Sequence, residues 1–176
     1  MHRLEVVLER SRPKIIRRLE VPSTIRLEQL HEVFQVVMGW ENTHPFRFSR
    51  VDDLPPNASL SEVAPNTEGF IEYVYDVPDA YGIGGWKLEI TVLKIIERQT
   101  APPPRCTSGQ RAGPPQNCGG IFLYHFLLSL SASERRQRGD SFKRGFKPGV
   151  FDKAAANKKL KSWAKEHGEH WNRIRR

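Results

Sequence analysis

Cys106 and Cys118 lie in a stretch, residues 102–120, that also holds five prolines and four glycines. Prolines stiffen a backbone and glycines permit left-handed or close-approach conformations, so the stretch reads as a rigid structural clasp that could also wall a pocket. Thiolates are nucleophiles and zinc ligands. Tetrahedral zinc needs four ligands, or three and a water, and this spacing is not the close pair of a zinc finger. With no secretory signal in the sequence the two cysteines read as thiols, with a Cys106–Cys118 bridge as the alternative. Gly119 and Gly120 precede an apolar segment whose first amides, as a helix start, could receive an anion; a plain glycine turn explains the same residues.

Asp76 and Asp79 form the second candidate. Two carboxylates at this spacing on a loop suit Mg²⁺, which keeps most of its waters, or an acid–base pair with His31 or His44 nearby. Aspartates that cap backbone at a strand end give the same pattern. His31 reads equally as a packed, hydrogen-bonded side chain and His44, before Pro45, as part of a turn. The expected pocket comprises His31, His44, Asp76, Asp79, Trp86, Cys106, Cys118, Gly119 and Gly120. No metal-ligand set and no catalytic residue is assigned. Zinc or magnesium would be the cofactor if this cleft belonged to a metal-dependent enzyme. His167 and His170 could also share a transition metal, but two imidazoles on a terminal helix are a thin ligand set.

The third candidate is electrostatic. The chain of 176 residues has a net charge of +8. Residues 134–176 contain fourteen Lys or Arg against five Asp or Glu, a net of +9, which leaves −1 for residues 1–133. Such asymmetry suits non-specific DNA or RNA binding, or an acidic protein partner; a solvated helix face is the alternative. Lys158, Lys159, Lys161, Lys165, Arg173, Arg175 and Arg176 are the expected phosphate contacts. No run of about 18 apolar residues occurs, which predicts a soluble, cytoplasmic chain without a membrane partner.

Periodicity predicts the elements that must position these groups. Leu4, Val6 and Leu8 alternate with polar residues, as do Ile15, Arg17, Leu19 and Val21, so the two runs form a hairpin across Ser11-Arg12-Pro13. Leu27, Leu30, Phe34 and Val37 recur at helical steps, with a hydroxyl cap expected from Ser23-Thr24 and a stop at Gly39. Strands are expected over residues 44–50, 70–75 and 86–96, with one helical turn at 60–63 inside a polar loop. Residues 121–130 are apolar nearly all round and predict a buried helix. Asp152 opens a basic amphipathic helix striped by Ala156, Leu160, Trp163, His167, Trp171 and Ile174. The prediction is an α+β domain with a mainly antiparallel sheet over residues 1–150, and a basic C-terminal helix over 151–176 packed on or extending it.

Arg17-Arg18, Leu30-His31, Met38-Gly39-Trp40 with His44, Tyr73-Val74-Tyr75-Asp76, and Cys106 to Gly120 with Tyr124 occur in an order that resembles the plasmid pRiA4b ORF-3-like family. Phe151-Asp152 and Asn157 fit its closing pattern. The resemblance implies a compact α+β domain carried on plasmids and beside mobile elements, often labelled a resolvase or transposon passenger. Serines 23, 49, 59, 61 and 108 are scattered in turns without an activating setting, so serine resolvase chemistry is not expected. The chain also departs from the family pattern: Leu88 stands at a usual histidine, and Gly113, Gln116 and Asn117 stand at usual cysteine, glutamate and aspartate positions. These replacements remove ionisable groups, and the expectation is a non-catalytic accessory module rather than an enzyme.

Overall fold

The computed structural model describes residues 1–76, 85–97, 102–131, 133–134 and 146–167. It shows an α+β fold in which seven strands form one antiparallel sheet. The strands are β1 (His2–Leu8), β2 (Ile16–Val21), β3 (Phe46–Ser49), β4 (Asp53–Leu54), β5 (Phe70–Tyr75), β6 (Trp86–Ile95) and β7 (Arg105–Gln110). Their order is β4-β3-β5-β6-β1-β2-β7. The helices are α1 (Leu27–Met38), the single turn α2 (Leu60–Val63), α3 (Gly120–Ser129) and α4 (Lys153–Glu166).

Strand alternation separates the two faces of the sheet. Leu4, Val6 and Leu8 of β1, Leu19 and Val21 of β2, and Trp86, Leu88, Ile90 and Val92 of β6 point into a core shared with Leu27, Leu30, Val33, Phe34 and Val37 of α1. The other face carries charge and is stitched across strands. Glu20 receives Arg3 on one carboxylate oxygen at 2.8 Å and Arg105 on the other at 2.6 Å; Glu5 receives Arg18 at 2.9 Å, and Lys87 bridges Glu72 and Glu9. Shielded by two guanidinium groups, Glu20 is buried on this outer face, and their hydrogen bonds hold its carboxyl below the usual range.

Three local expectations need correction. The proline- and glycine-rich stretch, for which no regular element is expected, contains one: residues 105–110 form β7, the edge strand on β2. An edge strand pairs on one side only, so prolines before it and Gly109 within it are tolerated. Secondly, α1 starts without a hydroxyl cap; Arg26 precedes it, and its N–H donates to Gln29 Oε1 at 3.0 Å. Thirdly, α3 is not buried all round, since Phe122 is 71% exposed and Leu123 and Phe126 are exposed beside it. The expected glycine stop is present: Gly39 closes α1 at φ 78°.

Helix α4 is part of the core. Asp152 caps it, accepting the Ala155 N–H at 2.9 Å, and Ala156, Leu160 and Trp163 are buried. Burial of Leu160 alone contributes about 2 kcal/mol. Asn157 ties the helix to β7 by accepting the Cys106 N–H at 2.8 Å and donating to its carbonyl at 2.9 Å. Trp163 Nε1 donates to Glu32 of α1 at 2.5 Å. Trp171 and Ile174, expected to continue the stripe, lie outside the described residues. Among the described residues no helix is long and apolar enough to cross a membrane.

Candidate functional site

Residues 111–118 cross the C-terminal end of α1 and the segment that follows it. Gly113 lies directly on the Met38 carbonyl, where any Cβ would overlap backbone, so glycine is required for the approach. Trp40 Nε1 donates to the Pro114 carbonyl at 3.0 Å. Gln116 is the central node. Its Oε1 accepts from Tyr75 OH at 2.9 Å and from the Glu41 N–H at 2.6 Å, its Nε2 donates to Thr43 Oγ1 at 2.6 Å, and its carbonyl accepts from Trp86 Nε1 at 3.1 Å.

A second chain of polar groups runs behind this node. His31 is stacked on Phe46 at 3.7 Å and lies between Tyr73 OH (2.7 Å, to Nδ1) and Asn42 Oδ1 (2.6 Å, to Nε2). Burial pushes its pKa down, so the imidazole is neutral. With one N–H to give, it donates from Nε2 to Asn42 and accepts from Tyr73 at Nδ1. Tyr73 OH in turn accepts from Gln35 Nε2 at 3.0 Å, and Gln35 Oε1 accepts the Asn42 N–H at 3.0 Å. Each of these groups has its partner, and none points to an empty coordination position.

The residues expected in one pocket are thus distributed. His31 and Trp86 belong to the core network. Cys118 is a buried free thiol pushed up to about 12, and Cys106 is a buried free thiol on β7, also raised by burial; both are poor nucleophiles at neutral pH. Gly119 and Gly120 adopt φ of 85° and 83° at the start of α3. A Cβ at Gly119 would also meet the Leu123 side chain. His44 and Asp76 do come together: Nδ1 lies 3.3 Å from Asp76 Oδ1, and Nε2 lies 3.2 Å from Asn117 Oδ1. This half-exposed trio forms a rim where Asp76 takes a left-handed φ of 59°. Asp79 lies outside the described residues, and among those residues no three His, Cys, Asp or Glu side chains gather as a metal site.

On the other side of residues 112–117 is a cavity of about 470 Å³, bounded by β2, the end of α1, residues 146–152 and the start of α4. Its wall includes Arg17, which is only 1% exposed. Nε donates to the Val37 carbonyl at 2.8 Å, and Nη1 to the carbonyls of Ile16 at 2.8 Å and Gln110 at 3.0 Å. Phe151 stacks on the guanidinium at 3.8 Å and lies flat on Gly109, where a Cβ would overlap its ring. Burial lowers the Arg17 pKa to about 10, so it is a cation at neutral pH. The sequence reading did not select Arg17, although its alternation with Ile15, Leu19 and Val21 placed it on the inward face.

Lys158, Lys159, Lys161 and Lys165 are all exposed, and no carboxylate lies within ion-pair distance of them among the described residues. Arg173, Arg175 and Arg176, as well as Glu169 and His170, lie outside the described residues; His167 stacks on Trp163 at 4.8 Å.

The family model described as plasmid pRiA4b ORF-3-like protein matches residues 1–159. The chain is 30% identical over 170 residues to the uncharacterised protein y4hQ of Sinorhizobium fredii (strain NBRC 101917 / NGR234), a match covering 88% of this chain and 85% of that protein. It also resembles the crystal structure of a protein of unknown function, MM3350 from Methanosarcina mazei Go1. That match has a TM-score of 0.74 and 26% identity, covering 87% of this chain and 95% of the other.

Proposed function

Because the chain belongs to the plasmid pRiA4b ORF-3-like family, and the names of its relatives specify no activity, we propose a function from its own surface. It is a non-catalytic accessory module, associated with mobile DNA, that binds nucleic acid without sequence preference through the lysine face of α4.

The supporting observation is a contrast in charge pairing. On the outer face of the sheet, Arg3, Arg18, Lys87 and Arg105 are each matched to a glutamate. Lys158, Lys159, Lys161 and Lys165 of α4 have no such match among the described residues, and Lys158, Lys161 and Lys165 follow one another at steps of three and four along one helix face. Cations held on an anchored helix lose little order when they meet phosphates, and they release condensed counterions as they do so. Lysine contacts of this kind fix position on a backbone and read no bases.

The test is a titration of fluorescently labelled duplex and single-stranded DNA at several salt concentrations, with the full chain and with a variant carrying K158Q, K159Q, K161Q and K165Q. Substitution replaces truncation because α4 supplies Leu160 and Trp163 to the core. Affinity is expected to fall steeply with salt, and the salt slope to shrink by about 1 for each phosphate contact removed. Absent or salt-independent binding, or a variant that binds as the parent does, overturns the reading. So does preference for an acidic protein over DNA at matched ionic strength.

A further inference from the structure

We propose that the cavity beside Arg17 is a binding site for the carboxylate of an organic acid with an apolar body, received by Arg17 Nη2. The cavity shares one residue, Lys159, with the lysine face of α4, and the proposal does not rest on the function assigned to that face.

The starting point is the incomplete coordination of a buried cation. Nε and Nη1 donate all three of their hydrogens to backbone carbonyls, which explains the side chain as a clamp between the end of α1 and the β2–β7 edge. Nη2 is buried and has no partner among the described residues. No carboxylate lies within ion-pair distance of the guanidinium there. A buried charge with unused donors is costly, and an anion is the partner that offsets both terms. The structural role accounts for three hydrogens and leaves two unexplained.

The lining selects the kind of anion. Val36, Met38, Pro114, Pro115 and Phe151 give the cavity an apolar wall. Its volume is within the range of small-molecule sites. Besides Arg17, its charged lining residues are Glu41, Asp152 and Lys159, two acids against one base, which opposes a multiply charged guest such as phosphate. A single nitrogen with two free hydrogens suits one carboxylate head rather than a phosphate held from several sides. Nη2 is closed to solvent, and Phe151 stacks on the guanidinium at 3.8 Å between two exposed neighbours, Val150 and Asp152, so entry of the carboxylate requires that ring to turn aside.

The acid could be a free metabolite or the C-terminus of a peptide, and the experiment separates the two. Amide ¹H–¹⁵N spectra of the full chain are titrated with benzoate and hexanoate, with benzamide and hexanamide, with acetyl-Ala-Phe as acid and as amide, and with inorganic phosphate. Saturable shifts centred on the Ala112 and Ala155 amides are expected with at least one acid, at least tenfold tighter than with its amide. Binding by acetyl-Ala-Phe alone identifies a peptide C-terminus, and binding by benzoate or hexanoate a free acid. Ala155→Phe fills the cavity from an exposed helix position and is expected to abolish the shifts without touching Arg17, which keeps the test valid where Arg17→Met fails to fold. No saturable shift with any acid up to roughly 10 mM, a very weak affinity for a ligand of this size, overturns the proposal. Equal binding of acid and amide, phosphate competing on equal terms, or unchanged binding in Ala155→Phe does the same.

Discussion

Residues 111–118 separate two buried polar clusters that differ in one respect: each polar side-chain atom of Gln116 in the neutral one has a partner, and Arg17 Nη2 in the charged one has none. Around Gln116, four hydrogen bonds of 2.6–3.1 Å join the loop to Tyr75, Glu41, Thr43 and Trp86. Around Arg17, three bonds of similar length leave Nη2 unused. An amide has as many acceptors as donors and can be satisfied by a fold whose backbone offers both. A guanidinium has five donors and no acceptor, so a site made of a few backbone carbonyls falls short. The first cluster therefore holds architecture, and the second keeps capacity for something that is not part of the chain.

The largest expected effect comes from breaking the complete cluster. Gln116→Leu preserves volume but strips partners from Tyr75 OH, Thr43 Oγ1 and the Glu41 N–H in a buried setting. A loss of about 3–4 kcal/mol in denaturant unfolding is expected. Arg17→Met should cost less, about 2 kcal/mol, although it deletes a charge: three carbonyls lose their donor, but the desolvation of an unbalanced cation is relieved at the same time. If Arg17→Met proves as costly as Gln116→Leu, the contrast between the two clusters fails.

Much of the frame could be read from pattern. Alternation located β1 and β2, helical steps of three and four located α1 and α4, and Asp152 is the cap it resembled. The same alternation put Arg17 beside Leu19 and Val21, so its burial was legible while its consequence was not, because the three carbonyls it meets come from β2, α1 and β7. Gln116 was visible only as a departure from a family pattern; its partners lie 41 to 75 residues away along the chain, except for Trp86. Strand β7 was hidden for a different reason. Its pairing depends on backbone and on one neighbour, so neither strong alternation nor the absence of glycine is required of it. Helix α3 shows the limit of composition: hydrophobicity states which side chains prefer burial, but Phe122 is covered only if a surface exists to cover it.

A milder perturbation sharpens the view of the neutral side. Tyr73→Phe removes one hydroxyl that serves both His31 and Gln35, leaving an acceptor and a donor unpaired while packing against Phe34 and Phe48 is kept. About 1–2 kcal/mol of stability should be lost by denaturant titration. An unchanged midpoint would mean that water replaces the hydroxyl and that this chain of bonds is less closed than its distances indicate.

The smallest effect tests whether the cluster refuses charge as its geometry requires. Burial holds the pKa of His31, and that of His2 beside Ser23 and the Ala64 carbonyl, below the usual 6.5. The unfolded chain then takes up protons that the native state does not, so stability is full above pH 6.5 and falls as the pH drops through that value toward the lower native pKa. The two histidines together should make the protein less stable at pH 5.5 than at pH 7.5, as seen by urea unfolding at the two pH values. His31→Gln should flatten part of that dependence. A stability that rises on acidification, or a variant as acid-sensitive as the parent, would show that His31 accepts a proton in place, and that the neutral cluster, like the site around Arg17, can hold a charge.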